Sequence, residues 1–183
     1  IADYEKYLEL FRKKKPKKSA DVFFQIANTY QQIDKKKNRK RFEVGRRSFE
    51  MYEEYLGRWA RKGPNDHKLV AKLRVGKFYW ERRGKTNREK ALAKCRSVLR
   101  DYKRLGRKKQ EKMEAGRDAA AEAMFLTGEA VFQEMAKMKI DSRNEKELQR
   151  KLKKKIATAE KAKKIFEDVI TFGRPDWAIA SIY

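Results

Sequence analysis

Tyr4–Phe11 reads YEKYLELF, and Tyr52–Trp59 repeats the phrase as YEEYLGRW. Residues at i, i+3, i+4 and i+7 share one face of an α-helix, so Tyr4, Tyr7, Leu8 and Phe11 form one apolar stripe and Tyr52, Tyr55, Leu56 and Trp59 another. The stripe recurs as Cys95, Val98, Leu99 and Tyr102, and as Phe166, Val169 and Ile170 with Gly173 in the fourth slot. Four copies of one helix surface predict an internal repeat.

A second kind of helix alternates with the first and carries a small residue where two backbones need to approach closely. Phe23, Ile26, Ala27 and Tyr30 give its clearest form. Val75-Gly76 with Tyr79, Thr127-Gly128 with Val131, and Trp177 with Ala180-Ser181 follow it. Successive anchors Ala27, Gly76, Gly128 and Ser181 lie 49, 52 and 53 residues apart, a period that predicts duplicated helical hairpins. Helices are expected at 1–12, 20–34 with 41–61, 66–83 with 87–105, 108–139 with 144–172, and from 176. Asn65-Asp66 and Asp141-Ser142 are read as helix starts, and Gly173-Arg174-Pro175-Asp176 as a stop followed by a new N-cap.

Composition agrees with an all-α chain. Among 183 residues there are three prolines and nine glycines, and charged residues make up 42% against 40% hydrophobic, so a folded core is expected under a heavily charged exterior. The 50 Lys and Arg exceed the 26 Asp and Glu by 24, and that excess predicts an acidic or otherwise anionic partner. The single cysteine, Cys95, excludes an internal disulfide and reads as a small buried hydrophobe. No apolar run reaches the length of a membrane span, so no membrane insertion is expected.

The first-helix phrases follow the tetratricopeptide pattern W-x₂-L-G-x₂-Y, and Ala162 with Phe166, then Pro175, follows the second-helix pattern A-x₃-F and Pro. Ala91 with Cys95 and Ser48 with Tyr52 are looser versions. The sequence thus resembles the tetratricopeptide-repeat superfamily, although its hairpins exceed the standard repeat of about 34 residues. The resemblance implies an α-solenoid of antiparallel helical hairpins with longer than standard helices, 1–183 forming one TPR-like segment. The chain opens within a second-type helix and closes within a first-type one, so the array is expected to continue in both directions. The arrangement of YEKYLELF before FFQIANTY, with GRPDWAIASIY at the close, is most similar to repeat arrays of large bacterial cell-envelope scaffolds. That likeness implies a periplasmic or envelope setting and a role as a non-enzymatic scaffold for other proteins. In the family, polar first-helix residues line the ligand groove, which carries over to Asn28, Gln31, Lys72 and Lys77 as partner-binding residues.

Catalytic chemistry has little to work with. His67, the one histidine, lies in the polar run NDHK and reads as a solvated surface residue. Glu53-Glu54 and Glu167-Asp168 read as surface acids with a cation one turn away. No P-loop, Rossmann, HExxH or GxSxG pattern occurs, so no enzyme, cofactor or metal is predicted. The distinctive polar feature is a set of basic runs at turns and helix ends, made of Lys13, Lys14, Lys15, Lys17 and Lys18; Lys35, Lys36, Lys37, Arg39, Lys40 and Arg41; Arg107, Lys108 and Lys109; and Lys151, Lys153, Lys154 and Lys155. Lysine outnumbers arginine in them, which suits general attraction to anions better than bidentate readout of bases. Clustered on one face, these cations offer the alternative of binding nucleic acid or another polyanionic surface. The aromatics fall at core spacing and read as packing, not as base-stacking platforms.

Overall fold

The computed structural model describes residues 1–11, 13–37 and 42–182, and among these the chain is all-helical with no strand. Arg39, Lys40 and Arg41 of the basic runs lie outside the described residues, as does the side chain of Lys37. The helices are α1 (Ala2–Phe11), α2 (Pro16–Lys37), α3 (Arg46–Glu54) continued by a π-helical turn at Tyr55–Trp59, α4 (Asn65–Trp80), α5 (Lys85–Arg104), α6 (Arg107–Glu111), α7 (Glu114–Lys137), α8 (Glu145–Ile170) and α9 (Pro175–Ile182). They divide into two compact units, Ile1–Ala119 and Ala120–Tyr183, and α7 runs through the division.

Several boundaries depart from the sequence expectation, each for a local reason. Proline is suited to a first helical position, so α2 starts at Pro16, a turn early. The helix expected from 41 begins only at Arg46; ahead of it Glu43 and Val44 donate their backbone N–H groups to the Glu81 carboxylate. The helix expected over 108–139 breaks at Met113, which turns inward and is buried. Asp66, expected to serve its own helix start, instead accepts the Gly116 N–H at 2.6 Å and opens α7. The cap of α8 is Asn144, whose side chain accepts from the Glu147 N–H, while Ser142 braces the Glu147 carboxylate at 2.9 Å.

In the first unit α1 packs on α2, α2 on α3, α3 on α4 and α4 on α5. Contacts run in opposite senses along neighbours: Phe24 meets Tyr55 and Tyr30 meets Arg47, while Lys72 reaches Asp101 and Gly76 lies against Ala91 and Cys95. α2–α3 and α4–α5 are therefore antiparallel hairpins. Buried Leu69, Ala71, Leu73, Val75 and Gly76 point all round α4, as a helix enclosed on several sides requires. The repeated stripe does its packing here: Tyr52, Tyr55, Cys95 and Val98 are fully buried, and Trp59 stacks on Phe23 at 5.9 Å between ring centres. The π-turn adds a residue at Gly57, with the Ala60 N–H reaching back to Tyr55 O at 2.9 Å.

In the second unit the anchor glycine Gly128 lets α8 close on α7. A Cβ there would stand 2.8 Å from the Phe166 ring and 3.2 Å from Ile165 Cγ2, so only glycine permits this approach. Phe125 packs between Phe166 and Trp177 with ring centres 5.7 and 5.5 Å away, and ties α9 to the pair.

Candidate functional site

A polar seam crosses the first unit where α2, α3 and α4 meet. The Tyr52 hydroxyl lies 2.6 Å from both Asn28 Oδ1 and Gln31 Oε1, and its one proton serves one amide oxygen at a time. Gln31 passes the chain on by donating to Glu43 at 3.2 Å. Glu43 also receives the Arg74 guanidinium at 2.7 Å and the Lys77 ammonium, so one carboxylate gathers two cations and an amide. Burial alone would raise the Glu43 carboxyl, but Arg74 and Lys77 outweigh it and hold the group below its ordinary value. Burial also pushes the Tyr52 phenol well up, which keeps it a neutral donor.

Two further acids fix the backbone above this seam. Glu81 lies 3.0 Å from the Glu43 N–H and 3.3 Å from the Val44 N–H; burial raises its carboxyl despite those donors. Asp34 accepts from Ser48 at the start of α3 and caps it from another helix. A Cβ on Gly45 would overlap that Asp34 carboxylate, so glycine is needed for the cap to reach.

The four residues expected to bind a partner thus all have internal partners. Asn28 and Gln31 hold Tyr52, Lys77 holds Glu43, and Lys72 reaches Ser97 at 2.8 Å and Asp101 at 2.7 Å. Lys68 joins Asp101 at 2.9 Å. Burial would raise the Asp101 carboxyl, and the hydrogen bonds from Lys72 and Lys68 hold it down instead. Glu43, Arg74, Glu81, Asp34 and Asp101 were not singled out by the sequence pattern, which pairs residues one turn apart and misses partners up to 38 positions away. His67 departs from its expected role as a solvated residue. Its ring stacks on Phe24 at 4.0 Å and 7°, Nδ1 lies 3.4 Å from Asp21, and burial lowers its pKa.

The described basic runs are exposed apart from half-buried Lys151 and Lys155, and they occupy distinct places. Antiparallel hairpins bring alternate turns to the same end of the first unit. Lys17 and Lys62 line one cavity of about 300 Å³, and Arg104 and Leu105 line another with Asn65 and Lys68. Lys13, Lys14, Lys15, Lys17 and Lys18 therefore share that end with Arg61, Lys62, Arg107, Lys108 and Lys109. Lys35 and Lys36 lie at the opposite end. Lys151, Lys153, Lys154 and Lys155 belong to the second unit, where Lys151 pairs with Glu147 at 3.2 Å and Lys155 donates to Met138 O at 3.0 Å.

At the end of the first unit that holds Lys35 and Lys36, aromatic faces are occupied by arginines. Arg82 covers the Phe78 ring at 3.3 Å and approaches Phe42, Arg88 covers Trp80 at 3.5 Å, and Arg47 covers Tyr30 at 4.1 Å. The other face of Phe78 stacks with Phe49 at 3.9 Å. Such rings hold the protein together and leave little face for a base. Among the described residues no three His, Cys, Asp or Glu side chains stand where they would hold a metal ion, and no helix is long and apolar enough to cross a membrane. The chain matches no family model, no curated protein and no solved structure.

Proposed function

We propose that this chain is a TPR-like helical-repeat segment, an α-solenoid module of a larger assembly, which binds an acidic protein partner and catalyses nothing itself. The observation that carries the reading is the gathering of Lys13–Lys18, Lys62 and Arg107–Lys109 at one end of the first unit. At that end Asp101 is engaged by Lys68 and Lys72 and Glu111 by Arg107, which leaves the lysines of the runs in excess. Lysines on turns give long-range attraction and fast encounter without fixing a planar ligand. The tetratricopeptide-like repeat phrases favour a protein over single-stranded nucleic acid. An envelope setting follows from the resemblance of the repeat phrases.

Fluorescent poly-L-glutamate tests the reading. Replacing Lys13, Lys14, Lys15, Arg107, Lys108 and Lys109 with Gln is expected to weaken its binding by about tenfold or more. An equal neutralisation elsewhere on the first unit, at Lys35, Lys36, Arg46, Arg83, Lys85 and Arg96, is expected to weaken it far less. Equal losses in the two variants would mean that net charge alone is being measured, and the assigned surface would be wrong.

A further inference from the structure

α5 turns Ala91, Cys95, Val98 and Tyr102 inward, where all four are buried. On the opposite side of the helix stand Arg96, Arg100 and Arg104, four residues apart on one line, and all three are exposed, as is Lys103 beside them. Each step advances about 6 Å along the axis, so the guanidinium groups leave the helix at even intervals over about 12 Å. Like charges one turn apart repel, and elsewhere in the first unit an acid on the same helix relieves them: Arg46, Arg58 and Arg107 have Glu50, Glu54 and Glu111 four residues away. The α5 line has no such relief. Arg96, Arg100, Lys103 and Arg104 pair with no acid among the described residues, and Asp101, the one acid in this half of α5, is engaged by Lys68 and Lys72 at 2.9 and 2.7 Å. The helix dipole favours Lys103 and Arg104 in the last turn, but its pull fades within a turn and does not account for Arg96 and Arg100.

The line is made of arginine, unlike the lysine-rich turns. A guanidinium is a rigid fork that meets a carboxylate through two parallel N–H···O bonds, so evenly spaced arginines suit carboxylates held at a matching spacing. An α-helix with acids four residues apart has that spacing, because its side chains repeat at the same step of about 6 Å. We propose that this face of α5 docks an acidic α-helix of the partner protein, laid antiparallel, with one line of carboxylates set against Arg104, Arg100 and Arg96. Acidic side chains favour the first turns of a helix, and the antiparallel orientation brings those turns to the cationic half of α5. The flanks of the line suit a helix as well. Exposed Ala93, a turn before Arg96, leaves room for close approach, and half-buried Leu92 and Leu99 offer apolar surface beside the charges. The inference rests on the acidic-protein reading and gives that partner a shape, since the line runs on through Lys103 and Arg104 toward the basic end at Arg107. Poly-L-glutamate repels itself into an extended chain at neutral pH and does not present this spacing, so the two surfaces can be assayed apart.

Two capped peptides of the same Glu, Ala and Gln content, matched for helicity by circular dichroism, test the proposal on the 183-residue chain. In one the glutamates lie four apart on a single line over three turns; in the other they are spread round the helix. At about 50 mM salt the lined peptide is expected to bind at least about fivefold tighter than the spread one, and R96Q/R100Q is expected to remove that preference. Both substitutions take exposed, mutually repelling charges off the helix surface, so the fold survives them. Poly-L-glutamate is expected to bind R96Q/R100Q within about twofold of wild type, because its contacts lie at the lysine runs. Equal affinity for the two peptides, or a preference that survives R96Q/R100Q, overturns the proposal, and neither result touches the response of polyglutamate to neutralising Lys13–Lys15 and Arg107–Lys109. Single-stranded RNA of equal charge that binds as tightly as the lined peptide and loses that affinity in R96Q/R100Q makes the line a nucleic-acid contact, and overturns it equally.

Discussion

Replacing Glu43 with Gln removes the charge on which the polar seam converges while keeping shape and one acceptor oxygen. Glu43 meets Arg74 at 2.7 Å, Lys77 and Gln31, and the side chains of Glu43, Arg74 and Lys77 are 27%, 23% and 15% exposed. Breaking a fully buried ion pair costs about 3–5 kcal/mol and an exposed one about 0–1 kcal/mol. At these exposures the loss falls between, at about 2 kcal/mol, because two cations stay half-buried without their counter-charge. For a chain of this size that is a fall in Tm of about 4–8 °C. Urea and thermal unfolding followed by circular dichroism at neutral pH read it directly. The pH dependence has a fixed sign. The folded Glu43 carboxyl lies below its ordinary value of 4.5, so its stabilisation is complete above that pH and is lost as pH falls through the folded value. The gap between wild type and Glu43→Gln should therefore close in acid. A loss under about 0.5 kcal/mol at neutral pH, or a gap that persists unchanged well below pH 4.5, would refute the seam as an electrostatic hub.

The glycine anchors separate by the room around them. Gly128→Ala puts a methyl 2.8 Å from Phe166, and overpacking of about 1–3 kcal/mol should exceed the helix-propensity gain of about 1 kcal/mol, giving a net loss in denaturant melts. At Gly76 the nearest atom is Lys94 Cβ at 3.2 Å, held by the α5 backbone, so Gly76→Ala needs a shift of only a few tenths of an ångström and should cost less than Gly128→Ala in the same assay. Asp34→Ala removes the cap of α3 and should cost about 1 kcal/mol, whereas Asp34→Asn retains an acceptor and most of the stability. Glu81 titrates with the opposite sign to Glu43. Burial raises its folded pKa, so the cost of ionising it is full above that value and fades as pH falls toward 4.5; wild type should gain on Glu81→Gln over that range in pH-dependent melts.

What the sequence made legible was what short-range periodicity encodes. Tyr52, Tyr55, Cys95 and Val98 occupy the buried stripe that their spacing predicts, and Gly76 and Gly128 sit where helix backbones come close. The stripe of α1 is less covered, with Tyr4 40% exposed, because spacing marks a face without saying what lies on it. Polar residues were harder to place. Asn28, Gln31, Lys72 and Lys77 look like the wet side of a helix until Tyr52, Glu43 and Asp101 arrive from elsewhere in the chain to meet them. Asp66 has the form of a cap for the helix it begins and serves α7, fifty positions on. A local pattern reports that an acid or amide needs a partner; only the fold supplies its identity.

The central claim is that the basic hairpin end serves a protein and not a nucleic acid. Matched affinities for poly-L-glutamate and random-sequence single-stranded RNA of equal charge, taken at about 150 mM salt, test it most directly. The account predicts that polyglutamate still binds there while RNA binding has been lost to salt. RNA that binds as tightly as polyglutamate at that ionic strength, with affinity falling on neutralisation of Lys13–Lys15 and Arg107–Lys109, would contradict it.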